Sequence, residues 1–558
     1  LRFCADFETT TDELDCRVWA YGLCEIGNPK NFIMGNNIDD FLEFCKKSDN
    51  ATLYFHNLKF DGEFIMIRLF ELGFRHVTDR AELDTKTFTT LISSKGQFYS
   101  MRIVFEKKGK RTKSVTIYDS LKILPFSVKE IAKGFNLPIK KGEIDYHAKR
   151  EINHAITEEE KDYIQNDVTI VAMALDVLFK EGLDKMTQGS NALFDYKRTV
   201  TPKKFEQWFP IPDYDKDVRR SYRGGFTYLN PKYKGVDVGE GVVFDVNSLY
   251  PSVMYEKPLP YGEGLFFKGE YKEDKLYNLY VQMFTCQFEL KQGHIPTIQL
   301  KNNLAFVPTE YLTSSNDEEV TLCMTSVDME LFFKHYDVYN IEYHSGWKFK
   351  STTKLFKEYI EKWTKAKIQA KKDGNKALYL LAKLMLNALY GKFALNPNVQ
   401  SKIPYYKDGM IKYLDGKKEE RNPIYIPVGT FVTSWARYKT ITSAQSVYDR
   451  FIYADTDSLH LIGTEIPKQL EIHETELGKW AHESTFKRGR FLRQKSYIEE
   501  DEKGLHVTCA GLPESCYQYV TWDNFHEGVI YEGKLQAKRV KGGIILKETT
   551  FEIKSKKV

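Results

Sequence analysis

Gly241–Val253 reads GVVFDVNSLYPSV, and Phe451–His460 reads FIYADTDSLH. Both stretches carry carboxylates at the end of an apolar run. Asp245 closes the first run, which places it at a strand end facing a cleft. Apolar residues flank Asp455-Thr456-Asp457 on both sides, so that stretch reads as a hairpin with two carboxylates at its tip. The turn Asn247–Pro251 offers backbone N–H groups suited to a triphosphate. An Asp-x-Asp alone is common on solvated surfaces; joined to DxxSLYP upstream it becomes specific.

Between these stretches lies Leu381–Phe393, LAKLMLNALYGKF. On a helical wheel Lys383, Asn387 and Tyr390 fall within about 60° of one another, with Leu381, Met385 and Ala388 opposite. One face is core; the other offers a cation, an amide and an aromatic ring. An amphipathic surface helix explains such a pattern when it stands alone. A cation beside phosphates and a ring beneath a base are also what an incoming nucleotide needs.

A second acidic set lies near the amino terminus. Asp6 and Glu8, in FCADFETT, point to the same side of a strand. Buried together, they repel unless a cation sits between them. Asp61 follows in LYFHNLKFDGEF, at a strand-to-helix passage, and Tyr163 and Asp167 share a helix face in DYIQNDVTI. For any single Asp a solvated surface is the commoner explanation. The ordered set suits two-metal phosphodiester hydrolysis, with Tyr163 orienting the attacking water.

The 558 residues are too many for one core. The formal net charge of +4 does not mark a nucleic-acid protein by itself, and KKGKRTK (107–113), FKRGRFLRQK (486–495) and AKRVK (537–541) are weak support as basic patches. The eight Cys form no CxxC pair or zinc-spaced cluster and read as reduced cytosolic thiols. No signal peptide or membrane span is legible. Strands at Arg2–Phe7, Val18–Leu23 and Ala51–His56 precede a helix over 157–179 opened by a Thr157/Glu160 capping box, which together predict an α/β domain. Thr187–Lys204 reads as a linker, 257–354 as short strands and turns, 353–395 as a helical hairpin turning at Asp373-Gly374, 396–427 as turn-rich, and 529–554 as a hairpin around Gly542-Gly543.

DxxSLYP, KxxxNxxYG and YxDTDS, in that order, resemble the three polymerase motifs of the family B DNA polymerases. The amino-terminal set resembles the three exonuclease motifs of proofreading polymerases. YRGG at Tyr222–Gly225, TSWAR at Thr433–Arg437, AHESTFK at Ala481–Lys487 and Lys495-Ser496-Tyr497 are similar to features of the protein-primed branch, and the resemblance runs end to end.

The resemblance implies an α/β and α+β multidomain chain. Its parts would be an RNase H-like 3′→5′ exonuclease domain over 1–185 and a right-hand polymerase domain. Palm segments would cover 186–256 and 428–526, fingers 355–395 and thumb 527–558. Two terminal-protein-region insertions would occupy 257–354, docking the primer protein, and 396–427, closing a ring around DNA. Such a ring implies processive, strand-displacing synthesis.

At the exonuclease site the resemblance makes Asp6, Glu8, Asp61 and Asp167 metal ligands, with Glu143 beside them where the family has Asp. Lys141 would assist catalysis, and Asn57, Phe60, Ser120 and Leu121 would hold the unpaired primer end. At the polymerase site Asp245, Asp457 and the Val246 carbonyl would hold both metals, with Asp455 close by. Lys383, Lys367 and Asn387 would meet the nucleotide. Tyr250 would lie under the sugar and reject ribose, with Tyr390 as its partner. Tyr222, Arg223, Gly224, Gly225, Thr433, Arg437, Lys495 and Tyr497 would bind DNA.

The implied cofactor is Mg²⁺, two ions per site, with Mn²⁺ able to substitute. The implied partners are primer-template DNA, dNTPs and a terminal protein whose hydroxyl side chain primes synthesis. The protein would otherwise be a monomer in the cytoplasm of a phage's bacterial host. Three departures stand out: extra residues in Lys367–Asn375, Tyr379 in place of a lysine, and a shortened segment between Tyr497 and Cys509. A nuclease using only the first set, and a non-catalytic relative that binds DNA or the terminal protein, are the alternatives. The intact second set argues against both, and dNTP incorporation on primed template discriminates.

Overall fold

Strand Arg2–Thr9 lies inside an eight-stranded sheet, antiparallel to Val18–Glu25 on one side and parallel to Thr52–Phe55 on the other. The computed structural model describes residues 1–299 and 311–554. The sheet continues through Arg111–Asp119, Phe98–Lys108, Thr87–Ile92 and Arg75–His76. Every residue of Val18–Cys24 is buried, because helices cover the sheet there. Helix Glu158–Lys180 crosses one face and starts at the expected capping box, with Thr157 and Glu160 each bonding the other's backbone N–H.

A second, five-stranded antiparallel sheet carries the other acidic set. Its order is Trp480–Phe486, Gly241–Val246, Ser458–Ile462, Phe451–Asp455, Thr227–Leu229. A four-stranded sheet of Asp237–Val238, Arg488–Arg493, Ser496–Asp501 and Gly504–Cys509 stands beside it. Only Glu502 and Lys503 join its last two strands, which is the shortened segment between Tyr497 and Cys509. Helix Ile426–Ser446 is buried along most of its length.

The stretch 187–204 is not a linker. Thr187 caps helix Gln188–Val200 and Thr201 caps helix Pro202–Trp208. Asn191, Ala192, Asp195, Tyr196 and Val200 are buried at helical spacing, and the polar residues that suggested a linker cover the outer face. Asp195, fully buried, accepts hydrogen bonds from Arg198 Nε (2.6 Å), Lys362 Nζ (2.8 Å) and Trp363 Nε1 (2.7 Å). It thereby pins the base of helix Lys357–Lys372.

Residues 257–354 hold long strands rather than short ones: Leu259–Lys268, Leu279–Leu290 and Tyr336–Thr352, with Val320–Thr325 and helix Ser326–His335. Bulges along the pairing bend these strands and disguise their period. That expected insertion includes 300–310, and the expected thumb includes 555–558, which lie outside the described residues. Helices Lys357–Lys372 and Lys376–Ala388 turn at Asp373-Gly374, with Gly374 at φ +67°. The turn-rich stretch forms the hairpin Asn398–Lys407/Met410–Glu420, and Ile530–Val540/Gly543–Glu552 forms another. All eight cysteines are free and buried. Among the described residues no helix is long and apolar enough to cross a membrane.

Candidate active sites

The strand carrying Asp6 and Glu8 and the helix carrying Asp167 bring one oxygen of each carboxylate within 4.8 Å of the others. Asp61, 3% exposed, sits in the first turn of helix Leu58–Glu71. Burial, then Asp167, pushes the Asp6 carboxyl up to about 7. Burial and then the charges of Asp6 and Glu8 hold Asp61 well above the carboxylate range. Lys141 Nζ donates to Asp167 Oδ2 at 3.1 Å, whereas Asp167 Oδ1 is buried with no hydrogen bond to a described residue. Crowded carboxylates with one orphaned buried oxygen are a donor set for a hard divalent cation, so the residues fit Mg²⁺.

The Tyr163 hydroxyl is shared with Tyr146 at 2.6 Å, a residue the motifs did not single out. Glu143 does not join the acidic group: it is exposed, while Lys141 and Ile144 on either side face inward. Asn57 is exposed and left-handed, at φ +80°. Its backbone N–H and that of Leu121 both donate to Asp119 Oδ1, at 3.0 and 2.9 Å. Asp119, fully buried, therefore shapes the loop beside half-buried Phe60. Ser120 is also fully buried and bonded to His56 Nδ1 at 3.0 Å, so it supports this loop and offers DNA no surface.

At the second site, Asp245 lies opposite Ser458 in register, and Val246 N donates to the Asp457 carbonyl at 2.8 Å. The hairpin Phe451–Asp455/Ser458–Ile462 therefore delivers Asp457 beside Asp245. The turn residue Thr456 is left-handed (φ +54°), as is Ser248 (φ +51°) just before helix Leu249–Glu256. Burial, the hydrogen bond that its protonated form donates to Glu483, and then the Glu483, Asp457 and Asp455 charges push the Asp245 carboxyl up to about 8. Asp245 Oδ1 is buried without a hydrogen bond to a described residue, again a fit for a divalent cation.

Glu483 was not legible as a site residue. Val243 pairs Ser484 and Phe244 pairs His482, so Glu483 is the extra residue of a β-bulge that sets it against Asp245. Asp455 is already engaged: it accepts from Lys495 Nζ at 2.8 Å and from Thr227 Oγ1 at 3.1 Å, with the Tyr453 hydroxyl at 3.4 Å. Tyr497 packs on Tyr453, His460 and Phe491 behind it.

Tyr250 and Tyr390 stack directly, centroids 4.7 Å apart and planes 16° apart, and the Tyr390 hydroxyl meets that of Tyr222 at 2.8 Å. The helix bearing Lys383 and Asn387 ends at Ala388, and Tyr390 opens a separate turn, Tyr390–Phe393. Lys383 and Asn387 are exposed opposite buried Leu381 and Met385, while Ala388 is only half-buried. Burial, then the charge of Lys383, lowers the Lys367 pKa, so these two cations face one another across the helix pair. Neither forms an ion pair with a described residue. Lys367 Nζ lies 5.8 Å over the Tyr379 ring, the aromatic that departs from the family pattern.

The structure moves two expected DNA contacts inside. Thr433 is fully buried and bonds its own helix at Thr430 O, 3.1 Å away. Arg437, 3% exposed, donates from Nη1 to the carbonyls of Arg223 and Gly224, both at 2.9 Å, and from Nη2 to Asp328 at 2.6 Å. Both side chains lie on helix Ile426–Ser446, which is core, so Arg437 shapes the Tyr222–Gly225 loop from within. A side chain on Gly225 would meet Thr456 Oγ1 at 2.5 Å, so this loop lies flush on the acidic turn.

A family profile described as DNA polymerase type B, organellar and viral, matches residues 43–157 and 149–475. The DNA polymerase of Bacillus phage B103 is 50% identical over 576 residues, covering 99% of both chains. That of Bacillus phage phi29 is 48% identical over 575 residues, also 99% of both. That of Streptococcus phage Cp-1 is 35% identical, covering 99% of this chain and 98% of the other. The solved phi29 DNA polymerase complexed with primer-template DNA and incoming nucleotide substrates superposes with a TM-score of 0.94 at 48% identity, covering 99% of this chain and all of that one. The chain belongs to the type B DNA polymerases, in their protein-primed branch, and is a DNA-directed DNA polymerase.

Proposed function

We propose that this polymerase extends DNA at Asp245 and Asp457 and proofreads at Asp6, Glu8, Asp61 and Asp167. The observation that carries the first half is the meeting of Asp245, at a strand end, with Asp457, in the turn of the neighbouring hairpin, together with the Tyr250–Tyr390 stack. In this reading residues 1–185 are an RNase H-like exonuclease domain, 186–256 and 428–526 the palm, 355–395 the fingers and 527–558 the thumb. Residues 257–354 dock a terminal protein, and 396–427 help close a ring around DNA.

Divalent ions bound at the two acidic sets supply Lewis acidity to the attacking hydroxyl or water and to the departing oxygen. The chain's own groups do the rest. Lys367 and Lys383 neutralise the triphosphate of the incoming nucleotide. The Tyr250 ring lies under its sugar, where a 2′-hydroxyl has no room. The Tyr222–Gly225 loop and Lys495 hold template and primer. At the other site Lys141 balances Asp167, Tyr163 orients water, and Asn57, Phe60 and Leu121 hold a frayed primer end. For initiation, a hydroxyl side chain of the terminal protein takes the place of the primer 3′-hydroxyl. The protein works as a monomer outside that heterodimer, in the cytoplasm of its host.

Extension of a primed circular template with no helicase or clamp tests the reading. Products longer than one circle are expected; the absence of any dNTP incorporation would overturn it. Deleting residues 398–421 should shorten products and abolish strand displacement while sparing addition to short primers.

A further inference from the structure

We propose that helix Leu58–Glu71 is the latch of the ring and that Glu63 is the positioning residue holding it shut. This rests on the reading of 396–427 as a ring-closing arm. Glu63 is 1% exposed, and a single oxygen, Oε1, serves both arms. It accepts from the Tyr413 hydroxyl at 3.0 Å, on hairpin Asn398–Lys407/Met410–Glu420, and from Arg539 Nε at 2.9 Å, on hairpin Ile530–Val540/Gly543–Glu552. The Arg539 guanidinium also lies 4.9 Å over the Tyr413 ring. One carboxylate of the amino-terminal unit therefore joins two segments that lie 350 and 476 residues away in sequence.

The arms also meet each other and the same helix. Gly542 N donates to the Gly409 carbonyl at 2.9 Å. Ile411 of one arm and Val540, Ile544 and Ile545 of the other are buried in the same apolar cluster as Phe64. A side chain on Gly543 would strike the Phe64 ring at 2.2 Å, and one on Gly542 (φ +93°) the Cys16 carbonyl at 2.4 Å. The tip of the second arm is thus seated without a gap on the unit that carries the first acidic site. Elsewhere the first arm rests on this unit through the stacked pair Phe70–Tyr406 and a bridge between Ser93 and Ser401.

This latch has a topological consequence. A linear strand can thread a shut ring, but a closed circle cannot. Loading on a circle requires the Glu63 bonds to part, and processive synthesis requires them to re-form.

The test is Glu63→Gln, which keeps the shape and the Tyr413 bond but removes the charge held by Arg539. Product length per binding event on a primed circle, measured with a DNA trap, should fall by about tenfold through faster dissociation. Degradation of single-stranded oligonucleotide and extension of a short linear primer at excess enzyme should stay unchanged.

Rescue separates a latch from a merely structural carboxylate. A Cβ on Gly409 would lie 3.4 Å from that of Lys541, close to disulfide spacing, and the native thiols are all buried. Gly409→Cys with Lys541→Cys, oxidised by a small disulfide after the enzyme has engaged the circle, should restore product length to Glu63→Gln. Oxidised beforehand, the same protein should fail on the circle yet extend a primed linear template. Unchanged product length in Glu63→Gln, or no rescue by the cross-link, overturns the latch. If deletion of 398–421 also leaves product length unchanged, the ring reading itself falls.

Discussion

At the amino-terminal site Asp6 and Glu8 come from one strand and Asp61 and Asp167 from two helices, whereas at the second site Asp245 and Glu483 stand on two paired antiparallel strands and Asp457 in the turn of the hairpin beside them. The first site carries a built-in cation, Lys141 on Asp167, which remains charged at any working pH. The second site has no such cation on Asp245 or Asp457: the charge of Glu483 adds to theirs and pushes the Asp245 carboxyl up, and the lysine beside it, Lys495, is spent on Asp455. Two acidic sites in one chain thus meet the same repulsion differently. Both hold carboxyls raised by burial and crowding, but only the first adds a fixed side-chain cation.

The sharpest way to break this comparison is to disable one site and assay both. Asp457→Ala should lower primer extension on the order of 10³-fold or more while single-strand degradation continues. Asp6→Ala with Asp61→Ala should do the reverse, and loss of both activities in either folded variant would mean the sites are not separate. Removing the buried Arg437 charge is a stability test: Arg437→Ala leaves Asp328 only the Ser434 hydroxyl and takes away the donor to two loop carbonyls, lowering stability by about 3 kcal/mol by denaturant unfolding.

Glu483→Gln sharpens the comparison further. With its partner charge gone, Asp245 should release its proton at lower pH, so the pH dependence of Mg²⁺ half-saturation between about 6.5 and 8.5 should flatten for extension only. A profile as steep as the parent's would show that the Glu483 charge does not control Asp245.

The smallest effect is on stability. The folded Asp6 and Asp245 carboxyls sit near 7 and 8, above their ordinary value of 3.8. Across that interval the folded chain binds more protons than the unfolded one, so their contribution is full below about 4 and is lost as pH rises through 7 and 8. In chelator, Tm should fall over that rise. Saturating Mg²⁺ should remove the decline.

Asp6, Glu8, Asp61, Asp167, Asp245 and Asp457 could be read from sequence because each closes or punctuates a strongly patterned element, and pattern survives folding. Glu483 could not, because a bulge adds one residue without changing composition, and its partner lies far away along the chain. Motif identity does not report burial, so Ser120, Thr433 and Arg437, which the resemblance turns toward DNA, lie inside. Glu143 failed for the opposite reason: an irregular segment has no period from which to infer direction. Helix Gln188–Val200 was hidden by its polar outer face, although Thr187 at its cap and buried residues at helical spacing were there to be counted. The contacts of Glu63 depend on three elements meeting, which no local pattern encodes.

Asp195 has a mechanical consequence. Because it fastens Lys362 and Trp363, helix Lys357–Lys372 is anchored near its first turn and a half, like an oar in its rowlock. At 1.5 Å per residue, Lys367 lies roughly 7 Å beyond that fulcrum and the Asp373-Gly374 bend roughly 16 Å. Any given angular stroke therefore carries the bend about twice as far as the lysine. A change at the bend alters the reach of the blade, while a change at Asp195 loosens the whole oar.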